Sequence, residues 1–152
     1  MKNICKELLK GEKMLEFIKK MPKIELHAHL NASIPRAKFF ELMDNEKIDY
    51  NKSDLSPKNI KDCFGITFQM LTKAIKSKKQ LRFVCESAFD YFHNDNVIYL
   101  EIRSTPKKLD DISEIQYIDQ IIECIEECEK NITVRYLLSI NRDIPPEFYD
   151  PL

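Results

Sequence analysis

The chain has 152 residues, the length of one ordinary domain, and its 43% hydrophobic content supplies a core and excludes a disordered polymer. With 24 basic against 25 acidic residues there is no bulk field to recruit nucleic acid or an anionic membrane, which leaves a small or locally charged ligand.

The N-terminus, MKNICKELLKGEKMLEFIKK, mixes acids with bases and has no hydrophobic signal core, so neither secretory nor transit targeting is indicated. No apolar run approaches the ~20 residues of a membrane span. The five cysteines (Cys5, Cys63, Cys85, Cys124 and Cys128) are odd in number and irregularly spaced, which points to reduced thiols in a cytoplasmic protein. Cys124 and Cys128 share a helix face. No histidine or cysteine pair accompanies them, so they are expected to fill a helix seam.

Ile4, Leu8, Leu15 and Ile18 form one helical stripe before Pro22. Residues 1–20 are therefore read as a leading amphipathic helix, and 21–152 as the domain proper. Lys23 to Leu30 alternates as a strand, with Ile24, Leu26, Ala28 and Leu30 on one face and Glu25, His27, His29 and Asn31 on the other. Pro35 opens a short helix. Ser56 and Pro57 form a good N-cap and first turn, so helices are expected over 57–76 and 79–93.

Val97 to Ser104 reads as a second strand stopped by Pro106, with Tyr99, Glu101, Arg103 and Thr105 opposite Ile98, Leu100 and Ile102. Ser113 caps a long helix whose buried side is expected to be Ile115, Ile118, Ile122 and Ile125. Thr133 to Asn141 is a third strand, and the proline-rich DIPPEFYDPL starts no clear element. Strands alternating with helices imply a parallel sheet with helical crossovers. Each strand carries one apolar and one polar face, and a barrel with a polar interior fits that better than an open doubly wound sheet. Inside it, Glu25, Glu101 and Arg103 are expected to form an ion-paired layer, since unpaired charges there would be costly.

The chemistry sits in PKIELHAHLNASI. Two residues apart on a strand, His27 and His29 project from one face, and two neutral imidazoles make half of a tetrahedral zinc site. They lie near the strand's C-terminal end, where barrel enzymes place their reactions. A bare His-x-His arises by chance on many exposed strands, so spacing alone favours the metal only modestly.

PKIELHAHLNASI, YLEIRSTPKK and VRYLLSIN together resemble the first three strands of the adenosine/AMP deaminase family, in its adenosine-deaminase-like, N6-methyl-AMP deaminase branch. The similarity runs from about Met21 to Arg142. It implies an α/β fold, the N-terminal part of a (β/α)8 metallo-dependent hydrolase barrel with about three of its eight parallel strands. It further implies a Zn2+ ion held by three histidines and an aspartate, which activates water against C6 of a purine while a glutamate protonates the ring.

Carried over residue by residue, His27 and His29 match the first two metal ligands, with His29 also bordering the substrate. Asn31 matches a sugar-contacting position. Ser104, Thr105, Pro106 and Lys107 match the segment that borders the nucleotide phosphate. Three departures bear on substrate preference: Ala32 stands where the family has glycine, Thr72 where the branch has a pocket histidine, and Asn141 where relatives have an aspartate. His93, at a helix end, is read as a surface residue.

A barrel of this type needs ~250 residues. No residue here matches the third histidine, the aspartate or the glutamate, so no catalytic residue is assigned. The expected partner is a purine nucleotide or nucleoside, with neither nucleic acid nor membrane involved. The remainder of the barrel is required, and the 152-residue chain by itself is expected to be inactive. Two alternatives stay open. One is a truncated, non-catalytic chain that needs a complementary fragment. The other is a different His-x-His amidohydrolase, which leaves RSTPKK without a reason.

Overall fold

The computed structural model describes residues 11–50 and 68–141. Their order is α1 (Gly11–Lys20), β1 (Lys23–His29), a 3-10 turn (Leu30–Ser33), α2 (Arg36–Asn45), α3 (Phe68–Ala74), α4 (Lys78–Asn94), β2 (Val97–Ser104), α5 (Glu114–Glu126) and β3 (Thr133–Leu138). The Ser56-Pro57 helix start, Ile4, Leu8, Cys5, Cys63 and the DIPPEFYDPL tail lie outside the described residues. No helix among the described residues is long and apolar enough to cross a membrane.

The three strands form one parallel sheet in the order β1-β2-β3. Parallel neighbours cannot be joined by a hairpin. Accordingly α2, α3 and α4 lie between β1 and β2 in the chain, and α5 lies between β2 and β3. Sequential strands that pair in parallel through helical crossovers are the repeating unit of a (β/α) barrel.

The core lies between the sheet and its helices. Ala28, Leu30, Leu100, Ile102 and Val134 meet Phe39, Leu42 and Met43 of α2, Leu81, Val84, Cys85 and Phe89 of α4, and Tyr117, Ile121 and Cys124 of α5. Cys124 is buried and Cys128 packs against the same cluster, the seam-filling role expected of the pair.

Two expectations need correction. Along α5 the buried residues are Tyr117, Gln120, Ile121 and Cys124, while Ile115 and Ile122 are 49% and 41% exposed. The helix carries two apolar stripes, and Tyr117, the largest side chain among them, turns its own stripe to the core. On β1, Ile24 and Leu26 are 64% and 54% exposed instead of packed. The α2 and α4 side chains cover Ala28 and Leu30, at the strand's far end.

The strands also depart from strict alternation. Lys23 pairs with Val97 and Ile24 with Tyr99, so β2 carries an extra residue at Ile98, which is accordingly 44% exposed. Glu25 then pairs with Leu100 and Ala28 with Ile102, so β1 carries its own extra residue at Leu26–His27. The second bulge restores the register that the first one shifts. Asn96 makes the tight turn into β2 at φ 59°, a conformation that asparagine tolerates. It ties the turn to the end of α1 and the start of β1, because its Nδ2 donates to Lys20 O at 2.6 Å and its carbonyl accepts from Lys23 N at 2.9 Å.

Candidate metal and nucleotide site

Strand β1 ends at His29, which pairs with Arg103 of β2. Ser104 closes β2, and Thr105, Pro106 and Lys107 follow directly. The two sequence segments singled out for chemistry therefore share the C-terminal edge of the sheet.

The His27 and His29 rings lie side by side, with centroids 5.4 Å apart and planes tilted by 50°. Partial burial, with the His27 ring and the Arg103 guanidinium nearby, holds the His29 imidazole below its usual pKa. A neutral imidazole is the form that binds a metal. Among the described residues no cluster of three or more histidine, cysteine or acidic side chains could hold an ion. The donor set thus fits one half of a zinc site: two adjacent imidazoles on the open side of a strand.

The expected ion pairs within Glu25, Glu101 and Arg103 are absent from the salt bridges of the described residues. Each group serves the backbone or a neighbour instead. Glu25 Oε1 accepts from His27 N at 2.7 Å, and Arg103 Nη2 donates to Leu26 O at 3.0 Å. Tyr99 Oη donates to Glu101 Oε1 at 3.1 Å. Alternation fails on β1 before the bulge: Glu25 pairs with core-facing Leu100 and Ile24 with Tyr99, whereas His29 pairs with Arg103, so Glu25 does not share the face of His29. Nor does alternation give any sign of the bulge, where the Leu26 carbonyl and the His27 N–H take up both charges.

Asn31 sits in the 3-10 turn immediately after β1, and its Oδ1 is buried without a hydrogen-bond partner. A buried acceptor left in that state is ready for a donor. Across the edge, Thr105 is half-buried and Pro106 buried. Lys107 is half-buried, and desolvation lowers its ammonium pKa. Ser104 faces the other way. Its side chain is buried, with Oγ 3.0 Å from Tyr136 Oη, and its carbonyl accepts from Ser139 N at 3.0 Å. Ser104 therefore anchors the start of the segment to β3.

Ala32, in the same 3-10 turn, is exposed, as are Thr72 on α3 and Asn141 beyond β3. His93 is half-buried in the last turn of α4. A separate cavity of about 210 Å³ lies between α4 and α5, lined by Arg82, Cys124 and Cys128 among others. None of the residues expected at the site lines it, and Arg82 there is held by Glu86, Glu123 and Glu127.

No family model matches the chain. The N6-methyl-AMP deaminase of Danio rerio is 32% identical over 148 residues, a match to 86% of this chain and 40% of that protein. The Arabidopsis protein ADAL, crystallised in complex with GMP, is 30% identical with a TM-score of 0.73, over 88% of this chain and 44% of that one. A Burkholderia ambifaria amidohydrolase with bound zinc has a TM-score of 0.68 over 91% of this chain and 41% of its own. At 16% identity it speaks for the fold alone. The chain thus spans about two fifths of the length of the relatives it matches. Sequence and architecture agree: the chain resembles the N6-methyl-AMP deaminase and adenosine-deaminase-like proteins over about two fifths of their length, and its three parallel strands share their barrel fold.

Proposed function

We propose that the chain contributes the opening half of the active site of a zinc-dependent purine deaminase acting on AMP-type nucleotides, N6-methyl-AMP among them. The observation that carries this reading is the placement of two adjacent imidazoles beside Asn31, Thr105 and Lys107 on one edge of the sheet. The reaction replaces the C6 amine with oxygen from water and releases the amine.

His27 and His29 would hold the ion. When bound, zinc would lower the pKa of water from about 15.7 towards ~7. Asn31 would offer its unpaired Oδ1 to a sugar hydroxyl. Thr105 and Lys107 would meet the 5′-phosphate through a hydroxyl and a cation. Ser104 and Pro106, both buried, would hold that segment at its place on the sheet edge. The remainder of the barrel would bring the other metal ligands and the proton donor, in a reducing, cytoplasmic setting. The GMP complex of the Arabidopsis relative supports a phosphorylated purine as ligand.

Binding of IMP and of inosine to the chain, followed through the amide signals of Thr105 and Lys107, tests the phosphate assignment. IMP is expected to bind more tightly, and Lys107→Ala to remove an advantage of roughly 1.5–3 kcal/mol. Equal responses to the two ligands in the unmodified chain contradict it.

A further inference from the structure

The bulge at Leu26–His27 lies between Glu25 and Ala28, just before His29 at the end of the strand. The N–H and C=O of one peptide point opposite ways, and β1 is an edge of the described sheet, so at the bulge the carbonyl faces β2 while the N–H faces the open edge, and each is costly if it stays unpaired. Here the N–H of His27 is taken by the Glu25 carboxylate at 2.7 Å, and the carbonyl of Leu26 by the Arg103 guanidinium at 3.0 Å. The two groups belong to the same peptide unit. That unit is gripped from both ends, by a carboxylate from its own strand and a cation from the neighbouring one.

We infer that Glu25 and Arg103 are positioning residues, which fix the Leu26–His27 peptide plane and thereby set the His27 imidazole beside that of His29. This inference rests on the proposed metal site for its purpose, but not for its geometry. Without the two side chains the peptide is free to rotate about its flanking bonds. The i,i+2 spacing puts His27 and His29 on one face, and the gripped peptide plane sets how closely the His27 ring approaches that of His29. Arg103 suits the task because its delocalised fork holds direction where a lysine supplies only a point charge. Its Nε is buried without a partner, so the guanidinium is oriented by the Leu26 carbonyl and not by a carboxylate.

The account distinguishes capping from charge. Glutamine offers the same acceptor oxygen as glutamate, so Glu25→Gln is expected to keep the His27 amide protected from hydrogen exchange, whereas Glu25→Ala exposes it. In the zinc-free chain, Glu25→Ala and Arg103→Met should weaken the ring-to-ring nuclear Overhauser contact between His27 and His29. Protection of the Val134 and Tyr136 amides on the β2–β3 ladder should stay unchanged. Zinc affinity at the histidines is then expected to fall about 10–100-fold in both variants, the usual effect of losing an outer-shell partner.

Unchanged His27 protection and ring contact in Glu25→Ala would overturn the inference, as would a Glu25→Gln variant that behaves like the alanine. If Arg103→Met unfolds the sheet, the Glu25 pair still decides. A chain that shows the exchange and ring effects yet binds no zinc at either histidine would refute the metal reading and leave the positioning role standing.

Discussion

Lys107 carries opposing demands. Burial lowers its ammonium pKa, and no anionic partner for it appears among the salt bridges of the described residues. A lysine whose folded pKa lies below its unfolded one costs stability while both states are charged. The cost fades as pH rises through the folded pKa towards the unfolded value, ~10.4. The phosphate proposed as its partner would supply the counter-charge that the salt bridges of the described residues do not. Lys107→Met is therefore expected to raise the melting temperature at neutral pH while weakening nucleotide binding. The gain should shrink as pH rises towards ~10.4 and be gone above it. Thermal denaturation across that range checks it, and a variant that melts lower at neutral pH contradicts it.

At the same scale, strand alternation put His27 and His29 on one face, and their rings lie side by side, whereas Asn31 lies in the 3-10 turn beyond the strand. Their environment was not legible. The bulge depends on the pairing of β1 with β2, and no pattern within one strand reveals it. Nor does alternation show that Ser104 turns its hydroxyl to Tyr136, since that contact comes from a strand 32 residues further on.

Among the elements, α5 shows how periodicity can name a helix and still miss its orientation. Ser113 caps it as expected: its Oγ accepts from Gln116 N at 3.3 Å, and Gln116 Oε1 accepts from Ser113 N at 2.9 Å. Four isoleucines at helical spacing suggest one buried stripe, but Tyr117, Ile121 and Cys124 form another, and the larger ring takes the core. Adjacent residues then separate the two faces. Ile121→Ala removes a fully buried side chain and is expected to cost about 2–5 kcal/mol. Ile122→Ala, on the 41% exposed face, should stay within about 0.5 kcal/mol. Urea unfolding of both variants decides, and equal losses would mean that the helix is seated differently. The strands were legible in position to within three residues, β3 ending at Leu138 instead of Asn141. The turn residues around Asn96 were not, because their role is to join the α4–β2 turn to α1 and β1 in space.

On the scale of the whole molecule, the order β1-β2-β3 and the likeness to the adenosine-deaminase-like proteins place this chain in a barrel whose relatives are more than twice as long. The described residues offer two imidazoles and no third ligand. Hydrolysis needs an open position on a firmly held ion and a proton donor at the ring. The 152-residue chain alone is accordingly expected to show no deamination of N6-methyl-AMP above a zinc-only blank, followed by purine absorbance. Turnover that disappears in His27→Ala would mean that the chain completes its site in another way, for example by pairing with a second copy.

The central claim is that β1 carries two metal ligands on one face. A zinc titration of the chain, followed through the imidazole proton signals of its three histidines, tests it most directly. His27 and His29 are expected to shift together, weakly and reversibly, while His93 stays still. His27→Ala should abolish the response of His29 as well. Zinc that moves His93, or that leaves both β1 histidines unchanged at saturating concentration, would contradict the account.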